Sequence, residues 1–182
     1  MNNLLKFLLV AILVTGTVCN TSSPEINTES LLPGRFTGKA GVSQNTGHYE
    51  EFIGTVNYLT LQSDSSFIFS FVSLTSQNDT SFIKLFIKSL DLPNESEYTI
   101  KEAEDKNKIF SDSFTGEYIS SLAVDDRIYY SESGILTITE INDIGIKGTV
   151  DAEFYYIAPT GSETEVKVRT PLEIKFYAIS AQ

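Results

Sequence analysis

Residues 133–158, SGILTITEINDIGIKGTVDAEFYYIA, alternate so regularly that they read as two long β-strands folded against each other. From Ile144 onward the apolar and small residues fall on even numbers: Ile144, Ile146, Gly148, Val150, Ala152, Phe154 and Tyr156. Lys147, Thr149, Asp151 and Glu153 stand between them. Successive side chains on a strand leave opposite faces, so this pattern lays one face on a core and turns the other to water.

Other segments repeat the pattern. FTGKAGV (36–42) reads as a first strand weakened by Gly38 and Gly41, and EFIGTVNYLTLQ (51–62) as a second. Phe52, Val56 and Tyr58 share one face of the second, while Leu59 and Leu61 take the other, which a β-bulge near Tyr58 would reconcile. SFIFSFVSL (66–74) sets Phe67, Phe69 and Phe71 on one side, with Ile68 and Val72 opposite. In SFIKLFIKSL (81–90), β-branched and aromatic residues between turns favour a strand over an amphipathic helix.

EYTI (97–100) starts a short strand, and the charged run KEAEDKNK (101–108) lacks an apolar stripe, so it reads as a turn or loop. Residues 116–131 read as two short edge strands around Asp125–Asp126. A last strand over 165–179 turns Val166, Val168, Leu172, Ile174 and Phe176 inward. Its Pro171 has no N–H to donate and marks an edge or a break in pairing.

The expected fold class is therefore all-β: a single antiparallel β-sandwich of eight or nine strands over residues 33–182, with a lipocalin-like β-barrel as the alternative. Phe and Tyr supply all the aromatic residues, 12% of the chain, which is ample for a core. A net charge of −11 repels phosphate backbones and anionic headgroups, so nucleic acid is not an expected partner. One Cys and one His suffice for neither a disulfide framework nor a Cys/His zinc site, and no cofactor is expected.

Residues 1–18 have the make-up of a secretory signal peptide: Lys6, then an apolar run from Phe7 to Val14 that is too short to span a bilayer. Cys19, the only cysteine, sits where a bacterial lipoprotein signal is cut, and the segment resembles such signals. Val18 stands where they usually carry Gly, Ala or Ser, and Gly16 where Leu is usual. The resemblance implies a lipid on Cys19 and a membrane contact made through that anchor alone. It places the protein in the cell envelope, on the outer membrane. Ordinary cleavage near Thr17–Asn20, leaving a secreted protein, is the alternative. The Ser/Thr/Asn-rich stretch that follows reads as a flexible tether, so that 19–32 forms a lipidated N-terminus and tether.

Catalytic sets are thin. His48 lies in a Gly-flanked polar loop and reads as solvated, with no Ser in a nucleophile-elbow pattern. Glu50–Glu51, Asp125–Asp126 and Glu102–Glu104–Asp105 could suggest an acid-pair glycosidase, but adjacent strand positions point opposite ways and an acidic composition produces such clusters by itself. Asp125 and Asp126 are weak candidates for a metal, since no spaced loop adds the oxygens calcium wants. Tyr155 and Ile157 fall on the polar face, near Tyr177 and Ile179 if the last two strands pair. These four form the candidate patch for a ligand or partner, a glycan or an envelope protein. Partial covering of both sheet faces would make them ordinary core residues instead.

The segment SESGILTITEIND…IKGTV resembles a group of small Bacteroidota lipoproteins of unknown function. It carries Tyr129 or Tyr130, Ser131, Gly134, Leu136, Thr137, Ile138 and Thr139 of a Y-x-S-x-x-G-x-L-T-I-T strand, then Gly148 and Thr149 of a G-T-F strand with Val150 in place of Phe. LPNESEYTI approximates an earlier turn pattern, with Glu97 in place of Gly. The resemblance implies a β-sandwich behind a lipid anchor and carries no catalytic residues. The expectation is a non-enzymatic, lipid-anchored protein with a binding or structural role. A carbohydrate- or small-ligand-binding module, using the aromatic patch or a barrel mouth, is the alternative.

Overall fold

The computed structural model describes residues 31–41, 49–74, 80–103, 109–120, 127–158 and 166–181. Within them the chain forms strands β1 (Arg35–Gly41), β2 (Tyr49–Leu61), β3 (Ser66–Leu74), β4 (Thr80–Ile87), β5 (Glu97–Ile100), β6 (Thr115–Ser120), β7 (Arg127–Ile141), β8 (Ile146–Ala158) and β9 (Val166–Ser180), and no helix.

The sheet closes on itself. β1 pairs with both β2 and β9, β9 with β8, β8 with β7, β7 with β6, β6 with β4, and β4 with β3, which returns to β2. Eight strands thus form an antiparallel barrel, and β5 is an additional strand on the second half of β7. The all-β class holds; the expected two-layer sandwich is corrected to a barrel, the architecture carried as its alternative. Alternation looks the same in both; what differs is that β1, one of the shortest strands, bridges β2 and β9 and removes the open edges.

The inward face is filled. Phe36, Phe67, Phe69, Phe71, Phe114, Phe154 and Phe176 are among the largest fully buried side chains, with Ile83, Leu85, Leu136, Val150, Leu172 and Ile174 around them. Phe69 is the hub, with ring centroids 4.9 Å from Phe67, 5.2 Å from Phe176 and 6.1 Å from Phe114. Charged residues such as Lys39, Asp151, Glu173 and Lys175 take the outward positions. That is the reverse of a transmembrane barrel, whose outer face is apolar and whose interior is polar. Gly148 shows how close the packing is: a Cβ there would lie 2.3 Å from the Thr137 carbonyl oxygen and 2.8 Å from the Phe176 ring.

Several expectations shift. β2 and β3 pair without a break from Gly54–Ser73 to Leu61–Ser66, so there is no bulge at Tyr58. Leu59 simply points outward, opposite Ile68, which pairs in turn with Phe86. The bulges lie in β7, between Ser131 and Ser133 and between Ile138 and Glu140. The second of the two short edge strands expected over 116–131 is the start of β7 itself. Ile144 is a turn residue and exposed, and Val166 is 46% exposed at the start of β9. Pro171 falls where expected: the β1 ladder on β9 stops at Leu172, leaving Pro171 paired on the β8 side only.

Candidate functional site

The four residues of the expected aromatic patch do not come together. Tyr155 stands opposite Arg169, and Tyr177 opposite Lys147, eight positions further along β9 and about 27 Å away at strand rise. Both tyrosines face outward, as alternation requires, yet each is only 6% exposed. Lys167 Nζ lies 4.1 Å from the Tyr155 ring centroid and Lys147 Nζ 4.9 Å from that of Tyr177. Tyr177 also donates from its hydroxyl to Asn142 Oδ1 at 3.1 Å. Ile157 and Ile179 are the exposed members, at separate places. Cys19, His48, Asp125, Asp126, Glu104 and Asp105 lie outside the described residues, as does the side chain of Glu50.

Above Tyr155 the charges form a clamp. Lys167 Nζ bonds Glu102 Oε1 at 2.6 Å and lies 3.7 Å from Glu132, while Arg169 Nη2 donates to Glu132 Oε1 at 2.8 Å and Arg169 approaches Glu153 at 3.9 Å. The hydrogen bond from Lys167 holds the Glu102 carboxyl below its ordinary range, and that from Arg169 does the same for Glu132. Burial, together with the facing Glu102 carboxylate, raises the Tyr155 phenol. Glu102 belongs to a strap pinned to the wall: Ala103 N donates to Ser131 O at 3.0 Å, and Ser131 Oγ donates to Lys101 O at 2.7 Å. Asp112 and Glu140 are lowered too, by hydrogen bonds from Lys101 and Lys147. A glycosidase acid needs its pKa raised so that it holds a proton near neutrality. Glu102, Asp112, Glu132 and Glu140 all move the other way.

A different constellation forms where the core face runs out. Tyr118 on β6 pairs directly with Tyr129 on β7, and their rings stack at 5.4 Å. Tyr156 on β8 meets Tyr129 edge-on at 5.0 Å. Arg127, at the start of β7, donates from Nη1 to the Tyr156 hydroxyl at 2.7 Å and lays its guanidinium 4.9 Å from the ring centroid. Tyr118 is buried and touches Phe154, Tyr129 and Tyr156 are half-buried, and Arg127 is exposed. Burial raises the Tyr129 phenol, with Tyr156 beside it acting in the same direction. Polarity therefore increases stepwise from the phenylalanine core outward to a guanidinium.

Such a rim supplies ring faces, hydroxyls and a cation, which suit stacking on and hydrogen bonding to a ring-shaped polar ligand. It contains no nucleophile paired with a base. Strand alternation by itself does not pick this rim out; its trace in the chain is the doublets Tyr129–Tyr130 and Tyr155–Tyr156, each of which sends one ring outward and one to the rim. Among the described residues no three Asp, Glu, His or Cys side chains converge to hold a metal ion.

No protein-family model matches the chain, and neither a curated protein nor a solved structure matches it significantly.

Proposed function

We propose that this protein is a non-enzymatic binding module of the bacterial cell envelope, held by a lipid on Cys19, that takes a carbohydrate or similar small polar ring ligand at the Tyr118–Tyr129–Tyr156–Arg127 rim. One observation carries the reading: three ring-contacting tyrosines and a guanidinium, two of the rings half-buried and the guanidinium exposed, stand at the end of a barrel whose axis is filled by phenylalanine. Among the described residues the buried phenylalanines occupy the axis where a lipocalin-like carrier would hold a lumenal ligand, which supports recognition at the rim. The signal-like leader and the resemblance to Bacteroidota lipoproteins support the envelope location. The lowered carboxyls support a role without acid–base turnover.

A glycan array followed by titration calorimetry tests the reading. Wild-type protein should bind at least one glycan class, and Tyr156→Ala and Arg127→Ala should each weaken binding by tenfold or more with native far-UV circular dichroism. Absence of binding across the array, or equal binding by both variants, would overturn it.

An envelope-protein partner is the second reading, favoured by an outward apolar row. Val72 pairs with Phe82, Phe82 with Ile119 and Ile119 with Ile128, and Phe82 and Ile128 are each 40% exposed. Phe82→Asp should then abolish capture of the partner while leaving glycan binding intact.

A further inference from the structure

Leu32 and Ile53 are the two most exposed large aliphatic side chains among the described residues, at 70% and 68%. They are not scattered. Both line one open groove of about 590 Å³ on the outer wall of β1, β2 and β3, together with Leu31, Arg35, Thr37, Thr55 and others. Thr37 pairs with Ile53 and Arg35 with Thr55, so the wall under the groove is continuous sheet. The chain enters the barrel at this place and is fixed there: Gly34 N donates to Tyr177 O at 2.7 Å, Val56 N to Gly34 O at 2.9 Å and Arg35 N to Leu32 O at 3.1 Å.

We infer that this wall rests on the lipid bilayer, with Leu32 and Ile53 entering the headgroup–acyl boundary and Arg35 reaching the lipid phosphates. The inference rests on the proposed lipid at Cys19. About a dozen peptide units separate Cys19 from Leu31, a lead that spans about 40 Å at full stretch. A lipid on Cys19 therefore keeps the groove's edge within that distance of the membrane at all times, because Leu31, where the lead ends, itself lines the groove. Exposed Leu and Ile beside an Arg suit an interface in which aliphatic chains enter the acyl region while a guanidinium stays at headgroup level. In an eight-stranded barrel β2 lies across from β7, so this seating turns the β7 wall to the aqueous side.

The chain contains no Trp, so a single introduced Trp is an unambiguous reporter. The full chain, processed in its host and reconstituted into phosphatidylcholine vesicles with and without brominated acyl chains, would carry Ile53→Trp, Leu32→Trp or, as control on the β7 wall, Ile135→Trp, itself 48% exposed. Bromolipid should quench the first two at least threefold more than the third. Equal or absent quenching at Ile53→Trp and Leu32→Trp, in protein whose mass spectrum shows a lipidated Cys19, would overturn the seating and leave the anchor standing. An unmodified Cys19 would overturn the anchor and the seating together. A blue-shifted Ile53→Trp emission without vesicles, with a doubled mass in solution, would assign the groove to a second copy and overturn the bilayer as its occupant.

Discussion

At the scale of single residues, Phe69 and Thr115 stand for opposite kinds of buried group. Phe69 is fully buried and its ring meets those of Phe67, Phe71, Phe114, Phe176 and Tyr58. Its neighbours belong to four different segments that cannot all collapse into the space left by truncation. Phe69→Ala should therefore cost about 3–5 kcal/mol, measured as the loss in unfolding free energy in urea. Thr115 is buried too, but its Oγ1 has no hydrogen-bond partner among the described residues. A buried hydroxyl without a partner is a desolvation cost with no return. Thr115→Val removes that hydroxyl at nearly constant volume, and the unfolding free energy measured in urea should stay level or rise, by up to about 1 kcal/mol.

At the scale of elements, the strap of residues 101–103 is held to β7 and β9 by charge as well as by backbone. Glu102 and Glu132 both have carboxyl pKa values lowered by their hydrogen bonds to Lys167 and Arg169. A carboxyl with a lower pKa in the folded than in the unfolded state stabilises fully above its unfolded value, about 4.3, and that contribution disappears as pH falls through the folded value. Stability should therefore be level above about pH 5 and fall progressively below it. Glu132→Gln should lower the thermal midpoint at pH 7 and converge on the wild type at pH 2, flattening the acid limb. A constant offset between the two proteins from pH 7 to pH 2 would contradict this origin. Glu132 reaches Arg169 because it is the extra residue of the first β7 bulge. A bulge shifts the facing of everything that follows it along the strand.

At the scale of the whole molecule, β9 completes the barrel by pairing with β8 along thirteen positions from Ile146–Ala178 to Ala158–Val166, and with β1 from Arg35–Tyr177 to Ala40–Leu172. Removing residues 166–182 would strip both partners at once, expose two unpaired edges and uncover the Phe69 and Phe71 rings that pack on Phe176. Such a chain should aggregate on size-exclusion chromatography and lose native circular dichroism rather than survive as a smaller sheet. Recovery of a monomeric species with an intact spectrum would show that the barrel's closure is dispensable.

Strand existence, strand facing and the composition of the core were legible in the residues, because alternation is a local property of the extended backbone. Phe67, Phe69 and Phe71 on one side of β3, and Ile146 to Phe154 on one side of β8, follow from it directly. Closure was not legible, since it depends on Phe36 meeting Phe176 across the length of the chain, and no local pattern encodes that partner. Nor was the rim. Counting back from Leu136 and Ile138 would turn Tyr130 inward, but the bulge at Glu132 reverses the facing and brings in Tyr129 instead. The burial of Tyr155 and Tyr177 had the same kind of cause. Alternation correctly set them on the outer face, and only the tertiary structure laid Lys167 and Lys147 across them, because those contacts come from neighbours fixed by register rather than by sequence distance.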